Sequence, residues 1–118
     1  MSDSSEVEEI LIAVARTVQA RAYAPYSNYR VGAALMTRSG KIFHGCNVEN
    51  ATYGATICAE RSAIVAMIAA GESDPYACAI YTNGETPASP CGICRQVLAE
   101  FASDLKLTLV GRDRKSVV

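Results

Sequence analysis

Pro90-Cys91-Gly92-Ile93-Cys94 carries two thiols three positions apart. On a helix that spacing sets the side chains about 60° apart on one face. Pro90 suits the helix start, where unpaired backbone N–H groups favour thiolate. Such a pair can chelate a metal or act as a redox dithiol, and two buried, inert cysteines would read the same way. A third thiol stands upstream, in Cys58-Ala59-Glu60-Arg61. About 160–200° separates positions 58 and 60 around a regular helix, so the two side chains converge only beyond its N-terminal end. Cys58, Cys91 and Cys94 would then form a three-ligand site between two helix starts. Structural zinc is closed by four protein ligands, whereas catalytic zinc keeps one position for water. Glu60 beside that open position has the chemistry of a proton carrier; standing alone it would read as a solvated first-turn glutamate. Arg61, three residues after Cys58, can hydrogen-bond thiolates, although a solvated helix arginine is the plainer reading.

Asn47 and Glu49 are two apart in an extended segment, so they point to one face. An amide and a carboxylate side by side suit a pair of ribose hydroxyls; otherwise they are a loop cap and a surface charge. Cys46 and Cys78 fall at strand positions and read as buried bystanders. His44, the sole histidine, reads as a surface residue on a hairpin strand.

The elements that must position these groups are legible from periodicity. Val7, Ile10, Leu11, Val14, Ala15 and Val18 form one helical stripe, and Ser5 with Glu8 fits a capping box at its start. Residues 23–28 break that helix. Residues 29–36 read as a strand, Ser39-Gly40 as a hairpin turn and 41–46 as the returning strand. Residues 58–70 read as an Ala-rich helix closed by Gly71. A short apolar run at 76–81 is a buried strand, 91–101 is helical through Val97, Leu98 and Phe101, and Leu105, Leu107 and Leu109 alternate along a strand at 105–110. Residues 116–118 resemble the beginning of another strand. Helices between the later strands imply crossovers and parallel pairing. The expected fold is α/β, a three-layer α/β/α mixed sheet with an antiparallel hairpin at one edge and α/β crossovers after it.

The whole chain, residues 1–118, reads as one domain with a single core. Half of its residues are hydrophobic and 19% are charged, which excludes disorder as its overall state. Eleven Lys and Arg against twelve Asp and Glu leave a net charge of −1, a poor basis for binding a polyphosphate backbone. No apolar run is long enough to span a membrane. The N-terminus lacks the basic region of a signal peptide, and five cysteines, an odd number, argue against a disulfide framework. The expectation is a cytoplasmic protein without nucleic-acid or membrane partners.

The spacing C-x-E followed by P-C-x-x-C is the three-cysteine form of the zinc deaminase signature. Over residues 24–110 the chain more closely resembles the small homotetrameric cytidine deaminases of nucleoside salvage. The resemblance is carried by Ala24-Pro25-Tyr26-Ser27, Arg30-Val31-Gly32-Ala33-Ala34-Leu35, Gly45-Cys46-Asn47-Val48-Glu49-Asn50-Ala51, Cys58-Ala59-Glu60-Arg61 and Pro90-Cys91-Gly92-Ile93-Cys94-Arg95-Gln96-Val97. It implies one Zn²⁺ per chain on Cys58, Cys91 and Cys94, with Arg61 as a partner of the thiolates. It also implies hydrolytic deamination of cytidine and deoxycytidine, with Glu60 carrying protons from water to N3 and to the departing ammonia. Asn47 and Glu49 match residues that meet the ribose, and Tyr29 matches the aromatic, usually Phe, that packs on the base. Tyr53 matches a loop tyrosine placed near a neighbouring subunit's site, so the resemblance implies a homotetramer with sites at subunit junctions. Family members continue past the last strand into a further segment, which this chain, ending at Val118, is expected to lack. The competing readings are a blasticidin-type antibiotic deaminase and a non-catalytic zinc-binding module.

Overall fold

Gly32 and Gly45 show how closely this sheet is covered. A Cβ on Gly32 would lie 2.1 Å from the Ala15 carbonyl oxygen, and one on Gly45 would lie 2.5 Å from the Ala63 amide nitrogen. Each glycine lets a helix backbone settle directly on a strand, one on either face. The computed structural model describes residues 4–82, 92–102, 104–111 and 115–117.

Within them the helices are α1 (Ser4–Gln19), α2 (Ala59–Ala69) and α3 (Gly92–Phe101), with a short 3-10 turn at Tyr53–Ala55. The strands are β1 (Val31–Thr37), β2 (Ile42–Cys46), β3 (Pro75–Thr82), β4 (Lys106–Val110) and β5 (Lys115–Val117). They form one five-stranded sheet in the order β2-β1-β3-β4-β5. β1 pairs antiparallel with both β2 and β3, β3 pairs parallel with β4, and β4 pairs antiparallel with β5. The hairpin therefore occupies one edge, as expected. Its turn holds Gly40 at φ +91°, a left-handed conformation suited to glycine. β2 and β3 run in the same direction but are separated by β1, so only the crossover through α3 ends in a directly paired parallel neighbour. The strand beginning expected at the C-terminus is β5.

Alternation along the strands sorts the core into two layers. Val7, Leu11 and Ala15 of α1 pack on Ala34, Ala77 and Ala79. Ala59, Ala63, Ile64 and Met67 of α2 and Leu98 of α3 pack on the opposite face, against Val31, Ala33, Leu35, Cys78, Ile80 and Leu109. The three-layer architecture follows. No helix among the described residues is long and apolar enough to cross a membrane.

Two local expectations change. α1 begins at Ser4, so Ser5 lies inside the helix rather than capping it. Glu8 instead accepts a hydrogen bond from Thr108 Oγ1 (3.5 Å) and lies 3.9 Å from Lys106 Nζ, tying α1 to β4. In addition, β1 starts at Val31 and not at Tyr29. At that end a side chain supplies the pairing, because Val31 N donates to Asn47 Oδ1 at 2.9 Å.

Candidate active site

The helix start at Cys58 is prepared by the strand-like pair before it. Val48 N donates to Ile57 O and Ile57 N to Val48 O, both at 2.9 Å. This delivers Cys58 in an extended conformation (φ −76°, ψ 155°) to the N-cap of α2, where its side chain makes no capping hydrogen bond. The partly exposed thiol is left available for chemistry. Cys94 lies in the first turn of α3 and is fully buried. Both thiols thus sit at helix N-termini.

Arg61 binds this pair from behind. Its Nη2 donates to the Thr56 carbonyl oxygen at 3.0 Å and lies 3.9 Å from Cys58 Sγ. A hydrogen bond to Cys58 raises its pKa, helped by both Cys58 and Cys94, against the opposing effect of burial. The guanidinium therefore remains charged. Its Nε is buried without a hydrogen-bond partner. A half-buried cation whose Nε is shut away without a partner, beside two sulfurs, fits a centre of surplus negative charge, which three thiolates around a divalent ion would provide. Sulfur donors at this spacing suit Zn²⁺. Cys91, the third expected ligand, lies outside the described residues.

Glu60 is only 6% exposed. Burial pushes its carboxyl up from the usual carboxylate range, and its own backbone amide, Cys94 and Arg61 pull it part of the way back. The structure thus brings Glu60 together with Cys58, Cys94 and Arg61, and the solvated first-turn reading does not apply. Behind it on β3, Cys78 is buried, and burial with the nearby charge of Glu60 raises its thiol pKa strongly, so it stays neutral. The Cys46 thiol is half-buried and also pushed up by burial, with Arg21 opposing. His44 is exposed. Cys78 is buried and His44 exposed, as expected, whereas Cys46 is half-buried rather than buried.

Asn47 and Glu49 flank Val48, so the pairing of Val48 with Ile57 sets them beside the segment that ends in Cys58. Both are more occupied than the sequence suggested. Asn47 Oδ1 accepts from Val31 N and its Nδ2 donates to the Tyr29 carbonyl oxygen at 2.9 Å. Glu49 Oε1 accepts from Tyr26 N (3.0 Å) and Ser27 N (3.1 Å), and Oε2 accepts from Ser27 Oγ. The Ser27 hydroxyl is the main cause holding the Glu49 carboxyl below its usual range. Tyr29 is 42% exposed, which sets aside a plain core role. Tyr53 opens the 3-10 turn.

Residues 5–109 match the family model of the cytidine and deoxycytidylate deaminase zinc-binding region. The chain belongs to this family. A cytidine deaminase of Sporosarcina psychrophila is 47% identical over 95 residues, covering 80% of this chain and 70% of its own length. One from Halalkalibacterium halodurans is 44% identical over 99 residues, 81% of this chain and 75% of the relative. The crystal structure of cytidine deaminase from Burkholderia pseudomallei superposes with a TM-score of 0.88 at 45% identity, covering 93% of this chain and 90% of that one. That from Mycobacterium tuberculosis gives 0.80 at 40% identity, over 85% and 82%. The deaminase zinc-binding region spans all three cysteines of the expected ligand set, and Zn²⁺ is its cofactor.

Two residues of this deaminase site had no assigned role in the sequence. Thr56 acts through its carbonyl oxygen, and a backbone group carries no side-chain signal. Ser27 lies within Ala24-Pro25-Tyr26-Ser27, but its partner is 22 positions away.

Proposed function

We propose that this chain hydrolyses cytidine and deoxycytidine to uridine and deoxyuridine, releasing ammonia. The observation that carries the reading is Glu60, a carboxyl buried among Cys58, Cys94 and Arg61 at the meeting of two helix starts. A purely structural zinc site has no use for a carboxylate there.

Cys58, Cys91 and Cys94 would hold one Zn²⁺ per chain, which would supply Lewis-acid activation of the attacking water. Glu60 takes a proton from that water and delivers it to N3 of the base, which leaves C4 electrophilic. After attack at C4, Glu60 takes the remaining proton of the added hydroxyl and passes it to the exocyclic nitrogen, the C4–N bond breaks and ammonia leaves. One water is consumed and the amino group is replaced by the carbonyl oxygen of the product. The burial that raises Glu60 suits a group that must both take and give a proton. Arg61 offsets the negative charge of the three thiolates, which would otherwise weaken the metal as a Lewis acid.

Tyr29 packs on the base, and Asn47 and Glu49 receive the ribose. The negative charge of Glu49 disfavours a 5′-phosphate, so free nucleosides are preferred to nucleotides. The role is pyrimidine salvage in the cytoplasm, where a reducing medium keeps thiolate ligands free. The active form is a homotetramer with sites at subunit junctions. Its support is the outer face of α2, where Val65 and Ile68 are 64% and 44% exposed beside small alanines, a surface that a second copy can cover with closed symmetry. Tyr53 then reaches a neighbour's ligand. Ammonia release from cytidine by the zinc-loaded protein, compared with release from CMP, tests the reading; equal kcat/KM for the two would remove the charge-exclusion argument.

A further inference from the structure

Ser27 stands at a junction of the substrate side that the reaction itself does not require. Its amide and hydroxyl both donate to Glu49. The same hydroxyl oxygen accepts the Tyr29 amide at 3.0 Å. Asn28, between them, is held at φ +59°, a left-handed conformation that asparagine tolerates better than most residues with a side chain. On its other side Tyr29 is fixed by Asn47, which takes its carbonyl oxygen. The chain leading into Tyr29 is therefore not a free loop. It is fastened at the amide through Ser27 to Glu49 and at the carbonyl to Asn47.

Three donors reach the Glu49 carboxylate within the chain: Tyr26 N, Ser27 N and Ser27 Oγ. An ionised carboxylate offers about four acceptor positions, which leaves room for one hydroxyl from a ligand. We propose that Ser27 is a positioning residue that couples the sugar acceptor to the base-packing ring. Its hydroxyl orients Glu49 toward a sugar hydroxyl and, through the Tyr29 amide, fixes the ring that covers the base. The inference rests on the cytidine deaminase reading and concerns how that site holds its nucleoside.

The test is steady-state kinetics of the full-length, zinc-loaded protein. Ser27→Ala is expected to raise KM for cytidine about tenfold, the worth of one charge-assisted hydrogen bond, while kcat stays within about twofold. With 3′-deoxycytidine, which offers Glu49 no 3′-hydroxyl, the KM penalty is expected to shrink. Ser27→Thr keeps the hydroxyl and is expected to restore KM. Zinc content and melting temperature monitor the fold, and Ser27→Cys, nearly isosteric and weak in hydrogen bonding, repeats the test if the alanine variant loses its metal. An unchanged KM in an active enzyme overturns the inference and leaves the deaminase reading intact. So does an equal penalty on both nucleosides, or a threonine variant no better than alanine. A zinc-loaded wild type inactive on cytidine overturns both.

Discussion

At the scale of single residues, both proton transfers fall to Glu60. It lies at the junction of α2 and α3, buried beside Cys58, Cys94 and Arg61. Replacing Glu60 by Ala removes both proton transfers, so turnover should fall by more than the ~10²–10⁴-fold typical of one acid–base group, while zinc content and circular dichroism are retained. A variant within tenfold of wild type would take Glu60 out of the reaction. The thiolates make a different prediction. Cys94→Ser leaves a buried hydroxyl beside Arg61 where a soft ligand is needed. It should lose zinc by elemental analysis and melt at a lower temperature, because metal binding and folding are coupled where two helix starts converge. Retention of one zinc per chain by that variant would remove Cys94 from the ligand set.

The elements decide whether those residues meet. α2 carries both Cys58 and Glu60, and its approach to β2 depends on Gly45 having no side chain. Gly45→Ala would force a Cβ into the backbone of α2, an overpacking that typically costs about 1–3 kcal/mol. A fall of several degrees in melting temperature with a parallel loss of activity is expected; an unchanged melting curve would contradict the close approach. The turn following α2 offers a pH test. Glu72 accepts from Ser39 Oγ at 2.7 Å and lies 3.6 Å from Lys41 Nζ. The hydrogen bond from Ser39 is the main cause lowering its pKa from 4.5. A depressed carboxylate stabilises the fold above its unfolded pKa and loses that contribution as pH falls through the folded value. The melting-temperature advantage of wild type over Glu72→Gln should therefore be full at neutral pH and be lost as acidification carries the pH below the ordinary carboxylate range and through the lowered folded value. Much of this level was legible in the sequence. Helical stripes, the Gly40 and Gly71 stops and alternation in 105–110 carry local signals, and the ordered motifs made the metal side readable. Ser5 misled because Glu8 found partners on β4. Likewise, the start of β1 and the engagement of Asn47 and Glu49 depend on backbone groups at Tyr26, Ser27, Tyr29 and Val31 and on the Ser27 hydroxyl, all of them 16 to 23 positions away in sequence.

For the whole molecule, among the described residues α1 covers one face of the sheet and α2 and α3 the other, while Val65 and Ile68 are exposed on the outside. Light scattering at micromolar concentration is expected to give the mass of four chains. Tyr53→Ala should keep that mass and bind cytidine more weakly; a one-chain mass with full activity would contradict shared sites. The same architecture gives the crossovers their purpose, because α2 follows β2, α3 follows β3 and both pack on the same face of the sheet. The chemistry is gathered at the starts of two helices that lie on one face of the sheet. The central claim is that this gathering is a deaminase centre driven by Glu60. The most direct measurement is ammonia release from cytidine by the zinc-loaded wild type and by zinc-loaded Glu60→Ala, side by side. Stoichiometric ammonia and uridine from the wild type, with none above background from the variant, is the expected result. No ammonia from a wild type carrying one zinc per chain, or equal release from both proteins, would contradict it.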